Sequence, residues 1–175
     1  MGQPTGDPLL KGLAQGREDA LAALYDRFAI SMFRFARTIL NSKEEAEDAI
    51  QDVFVGLVRA RKDLAKVENL RAYLFAALRH AAGQRARRRK IDQMISLEQI
   101  TDPADPKTLN SSSERSLELE QALRKLPADQ REIVALKIDG ELTFAEVAQV
   151  LQISPNTAAS RYRYALVKLR ESLKE

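Results

Sequence analysis

The sequence predicts an all-α protein: two small helical modules joined by a flexible linker, the C-terminal one carrying a helix-turn-helix. Three observations predict it. Apolar residues recur at three- and four-residue spacing almost throughout, and no Asn-Gly or Asp-Gly turn sits between alternating segments. Residues 101–113, TDPADPKTLNSSS, hold two prolines and three consecutive serines with no periodicity. Residues 143–171 read as a short helix, a three-residue turn and an N-capped longer helix. With 175 residues there is room for one ordinary domain or two small ones. The boundaries expected are 8–90, a linker over 91–113, and 114–175.

Each element has a local reason. Asp7-Pro8 sets an N-cap and a first-turn proline for a short helix that stops near Gly16. A long helix is expected over residues 17–40. Its stripe of Leu21, Leu24, Tyr25, Phe28, Met32, Phe35, Ala36, Ile39 and Leu40 is wide enough for two neighbours. Asn41-Ser42 breaks it, and Ser42 to Glu45 reads as a capping box for a third helix. That helix turns Ile50, Val53, Phe54, Leu57 and Val58 inward. Residues 61–69 read as a loop. A fourth helix runs from near Asn69 towards Lys90, burying Leu70, Tyr73, Leu74, Ala77 and Leu78. Ile91, Met94, Ile95, Leu97 and Ile100 mark the start of the linker as a segment able to dock.

The second module opens near Ser113, with Leu117, Leu119, Leu123 and Leu126 on one helix. Pro127 starts another, carrying Ile133, Val134, Leu136 and Ile138, and Asp139-Gly140 closes it as a C-cap. Thr143 and Glu146 form a second capping box before Phe144, Val147, Ala148 and Leu151. Gln152-Ile153-Ser154 is the turn, with Ile153 as its apolar plug. Ser154 and Pro155 start the last helix, which buries Ala158, Tyr162, Ala165, Leu166 and Leu169.

Charge is unevenly distributed. Residues 1–90 carry 17 Lys/Arg against 11 Asp/Glu, and 114–151 carry 5 against 8. Between Arg79 and Lys90 stand Arg79, Arg85, Arg87, Arg88, Arg89 and Lys90 without one acid. A solvated helix face normally mixes signs, so this run favours a polyanion. The opposite cluster, Glu44, Glu45, Glu47, Asp48 and Asp52, fits either a helix N-terminal turn or a basic protein partner.

The absence of cysteine excludes disulfides, thiolate metal sites and a cysteine nucleophile. One histidine, His80, excludes multi-histidine metal sites. No Gly-rich phosphate loop accompanies the carboxylates, so no enzyme, cofactor or metal is expected. No apolar run approaches the roughly 20 residues of a membrane span, and the start of the chain has no signal-peptide pattern. Membrane insertion is not expected, and the expected location is the cytoplasm.

On the last helix Asn156, Thr157, Ala159, Ser160 and Arg163 occupy the outward N-terminal part, where helix-turn-helix proteins contact base edges. Asn suits adenine and Arg suits guanine. Arg161, Lys168 and Arg170 add charge for phosphates.

In combination these segments resemble the RNA polymerase sigma factors of the extracytoplasmic function group, the smallest members of the sigma-70 family. Residues 20–90 resemble region 2, and 114–173 resemble region 4. AEDAIQDVFVGLV (46–58) carries Asp48, Gln51 and Phe54 at the family's spacing. The resemblance implies docking there on the coiled coil of the polymerase β′ clamp, with Asp52 alongside. NLRAYLFAALRH (69–80) and RARRRK (85–90) resemble the segment that captures melted minus-10 bases. The residues implied are Arg61, Lys62, Asn69, Tyr73, Arg79, His80, Arg85, Arg87 and Arg88, with Phe75 a further aromatic candidate. Base capture needs an aromatic or hydrogen-bonding platform beside positive charge.

Region 4 is implied to bind the minus-35 element through Ser154, Asn156, Thr157, Ala159, Ser160, Arg161, Arg163 and Arg170, and to contact the β-flap. A member of this family binds core RNA polymerase, supports promoter melting and initiation, is monomeric when free, and commonly has an anti-sigma partner. The alternative is a stand-alone helix-turn-helix regulator, which predicts a dimer on a palindromic site. The chain departs from the family pattern at His80 and Gln84, where Asn and Asp are usual. It also departs at Gln152 (Gly), Ala158 and Ala159 (Val and Lys) and Tyr164 (Arg).

Overall fold

The computed structural model describes residues 7–40, 42–95 and 114–173. Eight α-helices follow in order: α1 Pro8–Ala14, α2 Glu18–Ile39, α3 Lys43–Arg59, α4 Leu70–Ile95, α5 Glu114–Lys125, α6 Ala128–Ile138, α7 Phe144–Leu151 and α8 Pro155–Ser172. The described residues contain no strand. The break at Asn41, the side-chain burial of Leu117, and the apolar positions Leu97 and Ile100 lie outside the described residues.

The caps explain most boundaries. The Asp7 carboxylate accepts from Leu9 N–H at 3.0 Å, with Pro8 in the first turn of α1. Asn69 Oδ1 accepts from Ala72 N–H at 3.0 Å and starts α4. Thr143 and Glu146 cap each other across the first turn of α7. Ser154 accepts from Thr157 N–H at 3.0 Å, and Pro155 leads α8. At α3 only half of the expected box forms. Ser42 Oγ accepts from Glu45 N–H, but the Glu45 carboxylate turns to Arg89 and Ser42 donates to Glu44 instead.

The end of α6 also differs from expectation. Gly140 lacks a left-handed backbone; the next residue, Glu141, takes it, with φ of 49°. Gly140 is needed for another reason: a Cβ there would stand 2.5 Å from the Leu136 carbonyl oxygen. Gln152 takes the left-handed conformation in the turn before α8, φ 56° and ψ 46°, where a glycine would be unstrained.

Several predicted core positions face water. Tyr25, Val58, Leu119, Ile138 and Leu166 are exposed, Tyr25 while one ring edge still meets Phe54 of α3. Tyr73 and Ala77 are only half-buried, whereas Phe75 is fully buried, edge-on to Phe35 at 5.4 Å. The loop over 61–69 contains a 3-10 turn at Leu64–Lys66, anchored by buried Leu64. Helix α4 continues through residues 91–95, leaving Ile91, Met94 and Ile95 exposed.

The two halves pack on each other. Helix α2 lies against α6, and α4 lies against α7. One hydrophobic cluster joins Phe28, Met32, Phe35, Leu74, Phe75 and Leu78 to Ile133, Leu136, Leu142, Val147 and Val150. Alanines at 72, 76, 77, 81 and 82 along α4 keep that helix thin, so helices can approach on more than one side. A smaller cluster of Ala122, Leu126, Val134, Ala165 and Leu169 ties α5 and α6 to α8. Each fully buried Leu or Phe contributes roughly 1.5–3 kcal/mol of transfer free energy, so this shared layer favours the packed arrangement of the halves.

Candidate nucleic-acid interface

The outer face of α3 presents Asp48, Gln51 and Asp52 to water, with exposed Val55 and Val58 beside them. Phe54 points inward, 9% exposed, and meets Tyr25 edge-on at 5.2 Å. It therefore braces the face from beneath and is not part of the exposed surface. Arg85 of α4 lies between the two aspartates, 3.2 Å from Asp48 and 2.6 Å from Asp52. Arg89 reaches Glu45 at 3.4 Å. Part of the basic run is thus paired with the acidic cluster. At the head of α3 the Ser42 hydroxyl, foremost, lowers the Glu44 carboxyl below its ordinary pKa.

The predicted minus-10 residues are spread along α4 and the loop before it. From Asn69 to Arg88 the helix rise spans about 28 Å. Tyr73, His80 and Arg87 recur at seven-residue spacing, and Gln84 falls between them, so these four share one face of α4. His80 bonds Gln84 at 2.8 Å. Arg87 and Arg88 are exposed, as are Arg61 and Lys62 at the start of the loop. Asn69 and Arg79 turn towards the second half. The Asn69 amide donates to the Glu146 carboxylate, and Arg79 pairs with Glu132 at 2.6 Å. Phe75 is inside the core, which removes it as a stacking platform and leaves Tyr73.

On α8, Asn156, Ala159, Ser160 and Arg163 share a face through three- and four-residue steps. Asn156 and Arg163 are exposed, while Ser154 and Thr157 are tied into the cap. Arg161 points away from that face, to Asp129 of α6 at 3.6 Å. Arg170 stands about 21 Å along the helix from Asn156, at a distance suited to phosphate and not to the same bases.

The sequence reading missed a set of residues between the halves. Arg71 donates to the Gly140 carbonyl at 3.1 Å and pairs with Glu141, while its guanidinium lies over Phe28, 5.4 Å from the ring centroid. Arg34 approaches Asp139 at 3.9 Å. Burial raises the Asp139 carboxyl above its ordinary pKa against the pull of Arg34. Burial also pushes Glu146 up, but the Thr143 backbone N–H, the Thr143 hydroxyl, the Asn69 amide and Arg71 outweigh it, and the net shift is downward. The only sign of this set in the sequence is the acidic excess of residues 114–151.

Comparison with known proteins settles the family. The description "Sigma-70 region 2" matches residues 24–91, and "Sigma-70, region 4" matches 116–169. The RNA polymerase sigma factor CarQ of Myxococcus xanthus is 30% identical over 162 residues, covering 91% of this chain and 92% of that protein. The chain belongs to the sigma-70 family, in its extracytoplasmic function (ECF) group.

Another relative of this sigma factor is the ECF sigma factor SigW of Bacillus subtilis, 24% identical with 95% of both chains covered. Two solved structures share the fold. The sigma factor RpoE, in complex with the anti-sigma factor NepR from Bartonella quintana, superposes with a TM-score of 0.74 at 24% identity, covering 87% of this chain and 96% of that one. CnrH, in complex with the cytosolic domain of CnrY, gives 0.69 at 23% identity over 95% of both. Residues 24–91 are region 2 of this sigma factor and 116–169 region 4, the modules through which the family binds core polymerase and promoter DNA. It is a promoter-recognising initiation factor of a non-enzymatic family. No helix among the described residues is long and apolar enough to cross a membrane.

Proposed function

We propose that this sigma factor divides promoter recognition among three surfaces. The α3 face of Asp48, Gln51 and Asp52, braced by Phe54, docks on the β′ clamp of core polymerase. The α4 face of Tyr73, His80 and Arg87, with Asn69, Arg79 and the loop residues Arg61 and Lys62, captures the melted minus-10 strand. Arg85 and Arg88 flank it. The α8 face of Asn156, Ala159, Ser160 and Arg163 reads the minus-35 duplex, with Ser154 and Thr157 holding the helix start. Arg161 and Arg170 supply charge outside the base-reading face, and region 4 also contacts the β-flap. Alone each contact is weak; tethering both DNA-binding modules to one polymerase raises their effective concentration on a single promoter. The free protein is a monomer, and the modules offer an anti-sigma partner the same surfaces.

The observation that carries this reading is the exposed carboxylate pair on α3 with Gln51 between them, in a chain matched along both sigma regions. Co-elution with bacterial core RNA polymerase tests it. Asp48→Lys places a cation beside Arg85 on an exposed surface, so the fold is expected to survive and core affinity to fall at least tenfold. Unchanged co-elution of the variant would remove the α3 assignment. A dimer that binds a palindromic duplex without core would instead favour the stand-alone regulator.

A further inference from the structure

We propose that α8 reads a thymine of the minus-35 duplex through its 5-methyl group, and that Ala159 is the residue that sets this preference. The inference deepens the minus-35 reading given above and rests on it. Several side chains at the start of α8 are already committed. The Ser154 and Thr157 hydroxyls bond each other at 2.8 Å, and Ser154 also caps the helix. Arg161 turns to Asp129, and Ala158 is fully buried. Asn156 and Arg163 are exposed and meet no polar partner among the described residues. Between them in the chain stands Ala159, half-buried, which lines an apolar recess of about 380 Å³. Phe144, Tyr162, Leu166 and Val167 complete its apolar lining, and Arg163 and Arg170 supply its only charges. One wall is held in place: Phe144 and Tyr162 meet edge-on with ring centroids 5.6 Å apart, and Lys137 lies over Phe144 at 4.6 Å.

An apolar floor on a base-reading face selects by what it lacks. In the major groove thymine is the one base that presents a methyl group, and alanine is a side chain suited to it. Guanine, adenine and cytosine offer polar atoms there, and Ala159 returns no hydrogen bond to any of them. The two guanidinium groups beside the recess fit an occupant whose apolar group is flanked by phosphates, as a base edge in duplex DNA is. The register follows from helix geometry. Ala159 lies about 4.5 Å beyond Asn156 and about 6 Å short of Arg163 along the axis. Base pairs stack about 3.4 Å apart. The thymine therefore falls one or two steps from each of the bases that Asn156 and Arg163 contact. With adenine suited to Asn156 and guanine to Arg163, the element holds adenine, thymine and guanine in that order along α8, on either strand.

The test uses the full chain bound to bacterial core RNA polymerase. A minus-35 duplex is selected from a randomised library, and each thymine in turn is replaced by deoxyuridine. That exchange removes the methyl and leaves every hydrogen-bonding group in place. One position is expected to lose about fourfold in affinity, the worth of burying one methyl group, and the other positions to be unaffected. Ala159→Lys fills the recess with a charged chain and offers donors to guanine. A fresh selection with that variant is expected to lose the thymine at this position, and its binding to the original duplex to become insensitive to deoxyuridine there. A selected element with no thymine in this register would overturn the proposal, as would affinity indifferent to deoxyuridine at every thymine. Loss of co-elution with core in Ala159→Lys would assign the recess to the polymerase and overturn it as well. Failure of the unmodified protein to select any minus-35 sequence would instead remove the α8 reading beneath it.

Discussion

Arg71 offers a direct measure of how firmly the two modules hold each other. Its guanidinium bonds the Gly140 carbonyl at 3.1 Å, pairs with Glu141, and covers the Phe28 ring. In Arg71→Ala the carbonyl loses its charged donor, a change of about 1.5–3 kcal/mol. Loss of the cation–π contact adds roughly 0.5–1 kcal/mol. The Glu141 side chain is 71% exposed, so that ion pair adds only about 0–1 kcal/mol. The total expected is about 2–5 kcal/mol, or a fall in Tm of roughly 4–20 °C for a chain this size. Urea unfolding followed by circular dichroism measures it. The midpoint should fall with little change in slope, because the shared core makes both modules unfold together. Arg71→Lys keeps the charge without the planar guanidinium over Phe28 and should fall between the wild type and Arg71→Ala. A change below about 0.5 kcal/mol in Arg71→Ala would refute the reasoning, since it would mean that the clasp between the modules contributes nothing to the folded state.

Other perturbations test separate features. Gly140→Ala forces a Cβ against the Leu136 carbonyl and should lower Tm measurably, whereas a neutral result would show that the α6–α7 corner relaxes freely. Gln152→Gly relieves a left-handed backbone at the turn before α8 and should stabilise the fold by up to about 1 kcal/mol, read by the same urea titration. Glu146 has a lowered pKa in the folded protein, so its contribution is present above 4.5, its ordinary value, and is lost as pH falls through the lower folded value. Acid titration of Tm should therefore show a loss at low pH that shrinks in Glu146→Gln. Asp139 runs the other way. Its raised folded pKa makes the ionised form a cost at neutral pH, and Asp139→Asn should gain stability at pH 7 relative to pH 3.

Much of the fold was legible because it rests on local chemistry. Asp7-Pro8, Thr143 with Glu146, and Ser154-Pro155 cap their helices as their side chains dictate. The spacing of Leu24, Phe28, Met32 and Phe35 identified the buried face of α2. The errors fell where burial depends on a neighbour. Tyr25, Val58, Ile138 and Leu166 continue apolar stripes, but the neighbouring helices leave them largely exposed. The Ser42 box failed for a related reason: Glu45 had a better partner in Arg89, more than forty residues away. On the candidate surfaces, Asp48, Gln51, Asn156 and Arg163 are exposed at the positions their spacing suggested. Arg85, Arg79 and Arg161 each meet a carboxylate in the fold, a pairing that their charge and position along the chain did not reveal.

The sequence alone determined the helical class, the two sigma regions and the turn that presents α8, because periodicity, caps and spaced side chains act within a few residues of themselves. It did not determine how the regions meet. A Coulombic or hydrophobic partner is chosen by proximity in space, and nothing local in Arg79 or Glu132 records that they stand 2.6 Å apart. The shared core through Phe28, Leu136 and Val147, and the carboxylates that cover Asn69 and Arg79, were decided only when α2 and α4 packed on α6 and α7.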